Sequence, residues 1–222
     1  MTRSTTFIAV CAVSMSAANV FAALITVPTD LNPGDQYRLA FVTSSSTGGL
    51  STNISDYNAF VTAVAAGVPE LVALGTTWKA VGSTASVNAR DNTVTNPLVS
   101  TGVPVYTLVD ARIANDNADL WDGSLHSPLK YNEHGAELER ETWTGTSDSG
   151  VGFPGGQLGT NSPVIGSTSS IVGLWISWVQ ADPSEPNGLY AISGVLTVVP
   201  EPTTSTLALA VLCLAMSRRR AF

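Results

Sequence analysis

Gln36-Tyr37-Arg38-Leu39-Ala40-Phe41-Val42-Thr43 reads as a β-strand, and the order of elements after it decides the fold class. Tyr37, Leu39 and Phe41 alternate with Arg38 and Ala40 at the period of two that a pleated strand requires. A Ser/Thr/Gly loop over residues 44–52 leads into residues 55–66, where Tyr57, Phe60, Val61 and Val64 fall at helical spacing. Asn53 or Ser55 is placed to cap that helix, and Gly67 to close it. A shorter helix is expected over residues 69–74. Further strands are expected at 78–81, 103–109, 141–146, 174–180 and 189–199, with Gly-, Ser-, Asn- and Pro-rich loops between them. Helices early and strands late, without an internal repeat, predict one α+β domain with a mostly antiparallel sheet.

Outward from this core the chain changes character at both ends. Pro200-Glu201-Pro202 precedes an apolar run over residues 207–216 and the cluster Arg218-Arg219-Arg220. The run is shorter than the roughly 20 residues that cross a bilayer comfortably, so it is a marginal transmembrane helix even with its flanks. Three arginines resist translocation and are expected to stay on the cytoplasmic side. At the other end, Arg3, an apolar centre over 7–18 and Val20-Phe21-Ala22 read as a signal peptide cut between Ala22 and Ala23. Ser4, Ser14, Ser16 and Asn19 interrupt that centre too often for a retained anchor. The expected organisation is a signal peptide over 1–22, an exported domain over 23–199 and a membrane-sorting tail over 200–222.

Both cysteines, Cys11 and Cys213, fall in the end segments, so the domain between them must fold without disulfides. It is long enough to bury a core unaided. Charge divides in the same way. Setting aside Arg3, Arg218, Arg219, Arg220 and Glu201 leaves six basic residues against 16 acidic ones, a net of −10. Such a domain repels nucleic acid and anionic polysaccharide unless cations bridge them.

Val199-Pro200-Glu201-Pro202, the apolar run and the terminal arginines resemble the PEP-CTERM sorting tail of Gram-negative surface proteins. The resemblance implies export, transient anchoring in the inner membrane, and recognition of Pro200, Glu201 and Pro202 by an exosortase-type protease that removes the tail. A second resemblance runs through residues 36–197. Its carriers are Trp78-Lys79-Ala80, Ala89-Arg90, Ala118-Asp119-Leu120-Trp121-Asp122-Gly123-Ser124-Leu125, Trp143-Thr144-Gly145-Thr146 and Leu189-Tyr190-Ala191-Ile192-Ser193. This succession is similar to bacterial exported domains of C-type-lectin-like, endostatin-like fold. It implies paired early helices, twisted sheets and long loops, and no reaction. The chain departs from the wider fold in lacking its cysteine pairs.

Without staples the core must rest on packing, for which Trp78, Trp121, Trp143, Trp175 and Trp178 are the obvious aromatics. Trp178, beside a loop, is also the prime candidate for stacking on a sugar. Asp116, Asp119 and Asp122 gather hard oxygen ligands within seven residues, as calcium requires, without the spacing of an EF-hand. The same residues read equally as turn and capping groups. Glu185-Pro186-Asn187 matches the tripeptide that supplies calcium and sugar ligands in C-type lectins, where its proline is cis. It lacks the Trp-Asn-Asp that completes that site, and ordinary turn chemistry accounts for it as well.

Enzymatic signals are sparse. His126 and His134 lie eight residues apart with no cysteine to join them in a zinc site. Neither a nucleophile elbow nor a phosphate-binding glycine loop is present. Thr43, Thr47, Thr52, Thr76, Thr77 and Thr84 keep no period, so no regular ice-binding face is written in the chain. The expectation is a non-catalytic protein of the cell surface or biofilm matrix, acting in adhesion or exopolysaccharide association, with no cofactor required. The alternatives are a calcium-assisted carbohydrate-binding module and an enzyme without a legible motif. Expected partners are the export machinery, the processing protease, the membrane through the tail, and extracellular polysaccharide.

Overall fold

A computed structural model describes residues 24–200. The signal segment with Ala22 and Ala23, and tail residues Glu201, Pro202, Arg218, Arg219 and Arg220, lie outside the described residues, as do Cys11 and Cys213. Strand β1 (Gln36–Val42) is central. Counting along the chain, the other strands are β2 (Trp78–Ala80), β3 (Val105–Thr107), β4 (Arg112–Ala114), β5 (Glu141–Trp143), β6 (Val164–Ser167), β7 (Val179–Gln180), β8 (Tyr190–Ser193) and β9 (Leu196–Thr197). The main sheet has the order β2-β8-β1-β3-β4, with β9 pairing to the start of β1; β5, β6 and β7 form a second sheet. The β1–β3 ladder is parallel and the other strand ladders are antiparallel.

Helices are few and come early. Helix α1 (Ile54–Ala66) starts where the Asn53 side chain accepts the Ser55 amide at 3.1 Å, satisfying a donor that the first turn leaves free. Tyr57, Val61 and Ala65, four residues apart, form its buried face. Helix α2 (Pro69–Ala73) opens with a proline whose fixed φ suits the first turn. α3 (Ala89–Asn92) and α4 (Asn117–Leu120) are single turns, too short for any periodicity to announce. This is a mixed α/β architecture with few helices and mainly antiparallel sheets.

Two departures from the expected elements have physical causes. The alternation in β1 suggests one outward face, yet residues 37–42 are all buried. Tyr37, Leu39 and Phe41 pack with α1 and α2, while Ala40 and Val42 pack into a second core containing Trp121, Trp175 and Tyr190. A central strand covered on both faces leaves no outward row. Residues 174–180 do not form one strand: a 3-10 turn, Gly173–Trp175, precedes β7. Gly166 of β6 lies so close to the Trp175 carbonyl that a Cβ there would collide with it. The turn sinks Trp175 into the second core and leaves Trp178 outside.

Trp78, Trp121, Trp143 and Trp175 are buried, in a domain whose described residues include no cysteine. Trp121 and Trp175 lie 6.0 Å apart, Trp175 and Tyr190 5.7 Å, and Phe41 meets Trp78 edge-on at 5.0 Å. Each large ring removes about 150–250 Å² from water, and such pairs add about 0.5–1.5 kcal/mol beyond the area.

Candidate functional site

Where β1 ends, polar groups converge on residues 43–47. Glu133 is buried and accepts hydrogen bonds from the Ser44 amide at 2.9 Å and the Ser44 hydroxyl. Arg140 donates to the carbonyls of Thr43 and Ser44, each at 2.9 Å, and to the Ser46 hydroxyl. Burial lowers the Arg140 pKa, and the nearby Glu133 carboxylate offsets only part of that shift. Gly188 leaves room for the guanidinium, because a Cβ there would sit 2.8 Å from Arg140 Nε. Neither Glu133 nor Arg140 has a sequence signature, since only a long-range contact brings them to this loop.

The tripeptide 185–187 borders the same loop and works through its backbone. Asn187 and Thr47 exchange backbone hydrogen bonds at 2.9 and 3.1 Å. The Glu185 carbonyl accepts the Trp143 indole N–H at 3.3 Å, alongside the Thr47 carbonyl at 2.9 Å. No cis peptide bond occurs among the described residues, so Pro186 is trans. The side-chain nitrogen Nδ2 of Asn187 is buried without a hydrogen-bond partner, and the Glu185 side chain is exposed. Glu185 and Asn187 therefore share one loop, the first with an exposed side chain and the second with a buried one.

The acidic stretch spends its carboxylates on the backbone. Asp116 accepts the amides of Ala118 and Asp119 at 2.8 and 2.9 Å, capping α4. Asp122 accepts the amide and hydroxyl of Ser124, both at 2.8 Å. Asp119 takes the Asn115 amide at 2.6 Å and pairs with His126 at 2.8 Å. Burial pushes the Asp119 pKa up, but those two partners outweigh it and hold the carboxyl below its ordinary value. Among the described residues no group of three or more His, Cys, Asp or Glu side chains is arranged to hold a metal ion. Beside this stretch Arg112 bridges Asp30 and Asn115 and lies 5.2 Å from the Tyr106 ring centre, another polar chain turned to the surface.

Trp178 is 48% exposed, unlike the four other tryptophans. Its backbone N–H is tied to the Ile165 carbonyl at 2.8 Å, fixing it just ahead of β7, the outer strand of the second sheet. Val179, Leu174 and Val172, near it in sequence, are comparably exposed, and β7 lies at an edge of its sheet. The Gln180 amide is anchored to the Ser162 carbonyl at 2.9 Å. Of the sequence candidates, Trp178 alone presents an uncommitted surface ring.

The described residues also form shallow hollows. One, about 180 Å³, lies between α1, α2 and β2 and is walled by Ala65, Leu71, Val72 and Trp78. A second, about 140 Å³, lies between Arg90, Asp91, Val94 and Val99. The first is lined by no charged side chain, and Asn96 and Ser100 complete the lining of the second. Burial raises the pKa of the Tyr57 phenol to about 12 and that of Tyr190 higher still, which leaves both protonated inside the core. Among the described residues, no helix is long and apolar enough to cross a membrane. No protein-family model matches the chain, and no curated protein matches its sequence.

Proposed function

We propose that this chain is a non-catalytic exported protein of the cell surface or extracellular matrix that associates with neutral exopolysaccharide through Trp178. In this reading its core is a C-type-lectin-like domain, and Pro200, Glu201 and Pro202 direct sorting and removal of the tail by an exosortase-type protease. The half-exposed Trp178 on a sheet edge carries the ligand assignment. An exposed indole ring can stack on the apolar face of a sugar. The net charge of −10 over residues 24–200 selects against anionic glycans and favours neutral ones. The carboxylates of Asp116, Asp119 and Asp122, engaged with backbone amides or with His126, support binding without calcium.

An array of neutral and acidic bacterial polysaccharides, probed with the full-length protein, tests this reading. Binding confined to neutral glycans, unchanged by a calcium chelator and weakened about tenfold or more by Trp178→Ala, is expected; tenfold corresponds to about 1.4 kcal/mol of lost stacking. A uniformly blank array overturns the glycan assignment. Loss of binding on chelation favours the calcium-assisted alternative.

A further inference from the structure

The end of the sheet at which β1 begins carries apolar surface that neither the core nor Trp178 explains. Arg38 ties its parts together, donating to the Ser193 carbonyl at 2.6 Å and to the Val94 carbonyl at 3.1 Å. Residues 94–104 lead into β3, which runs parallel to β1, so this loop overhangs the same end. It displays Val94, Leu98 and Val99, exposed by 66, 81 and 79%, and Val199 adds another at 77% where the chain leaves β9.

The display is braced. The Trp121 indole donates to the Thr95 carbonyl and hydroxyl at 3.1 and 3.0 Å, Asn117 donates to the Ser100 carbonyl at 2.9 Å, and Asn96 donates to Asp91 at 2.6 Å. Val94 has a φ of +58°, a left-handed conformation that is strained for a β-branched residue. The left-handed backbone itself is easier for glycine or asparagine, and positions this exposed are more often polar.

The place where the chain leaves this end supplies the occupant. Pro200 is exposed, and the apolar run begins at residue 207. Seven fully extended residues reach at most about 25 Å, whereas a domain of this size is about 40 Å across. If the tail is held in a bilayer, the end bearing Val199 cannot be turned away from it, because the tether is shorter than the domain. We propose that this end rests on the lipid surface, with Val94, Leu98, Val99 and Val199 entering the headgroup boundary while the tail is embedded. The inference rests on the membrane reading of the tail. The acidic domain has little affinity of its own for anionic lipid, and tethering supplies the high effective concentration that populates a weak apolar contact.

Full-length protein carrying Cys11→Ser and Cys213→Ser, with a single reporter cysteine from Leu98→Cys or Leu50→Cys, is labelled with an environment-sensitive fluorophore. It is then reconstituted into phosphatidylethanolamine–phosphatidylglycerol vesicles containing spin-labelled lipid. Leu50 is 64% exposed and lies beyond the opposite end of β1. The expected result is co-flotation with the vesicles, with a blue shift and quenching at 98 and neither at 50. Flotation with 98 unquenched, or with 98 and 50 quenched alike, overturns the lipid contact and leaves the tail reading standing. A blue shift at 98 that tracks protein concentration and ignores the spin label assigns the surface to a second copy and also overturns it. Failure to float overturns both.

Discussion

The two ends of β1 contrast. At its C-terminal end charge turns inward: Glu133 and Arg140 grip residues 43–46, and the Trp143 indole ties Thr47 to Glu185. At its N-terminal end Arg38 is also buried, but it binds the carbonyls of Ser193 and Val94 and so supports a loop whose apolar side chains face outward. One end closes upon itself; the other is held open. The difference teaches that buried polar groups do opposite work along one strand, sealing the loop at one end and presenting a surface at the other.

The largest expected effect lies at the closed end. Trp143→Ala removes a fully buried ring and two indole hydrogen bonds, and should lower the unfolding free energy by about 3–5 kcal/mol in denaturant titration. A loss under about 1 kcal/mol would show that the closed end is not a brace. Arg140→Met strips a charged donor from the carbonyls of residues 43 and 44 and should cost about 1.5–3 kcal/mol in the same assay.

The open end should respond differently. Val94→Gly relieves a left-handed strain of about 1 kcal/mol while loosening the unfolded chain by a similar amount, so its unfolding midpoint should barely move. Leu98→Asp and Trp178→Ala, both at exposed positions, should change stability by no more than about 0.5 kcal/mol. A large stability loss at 98 would mean that this loop is core rather than display.

Acid sharpens the contrast. The side-chain amides of Asn88 and Asn96 hold the Asp91 carboxyl below its ordinary pKa. A carboxylate with a depressed folded-state pKa contributes stability above its unfolded value of about 3.9, and that contribution is lost as pH falls through the folded value. Amide-exchange protection over residues 94–100 should therefore decline below about pH 4, and the decline should flatten in Asp91→Asn. Protection that is independent of pH in the unmodified chain would remove Asp91 from the brace.

Local chemistry was legible in the sequence, whereas the outcome of long-range contact was not. Asn53, Tyr57 and Gly67 marked α1 because capping and helical spacing act within a few residues. The covered second face of β1 could not be read, because Ala40 and Arg38 give no sign of what lies above them. The strand expected over 174–180 failed for a related reason: Gly166, distant in sequence, admits the turn that buries Trp175. Asp116 and Asp122 were legible as either calcium ligands or caps, and in the structure both accept backbone amides. Trp178 drew attention by lying beside a loop, and its exposure fits that location. Glu133 and Arg140 escaped notice because neither stands in a motif.

Handling of the tail tests the exported-surface account most directly. The mass and membrane fractionation of Glu201→Ala, expressed in a cell that matures the unmodified chain, should reveal an uncut precursor retained in the inner membrane. Maturation of Glu201→Ala to the same mass and the same surface fraction as the unmodified protein would contradict it.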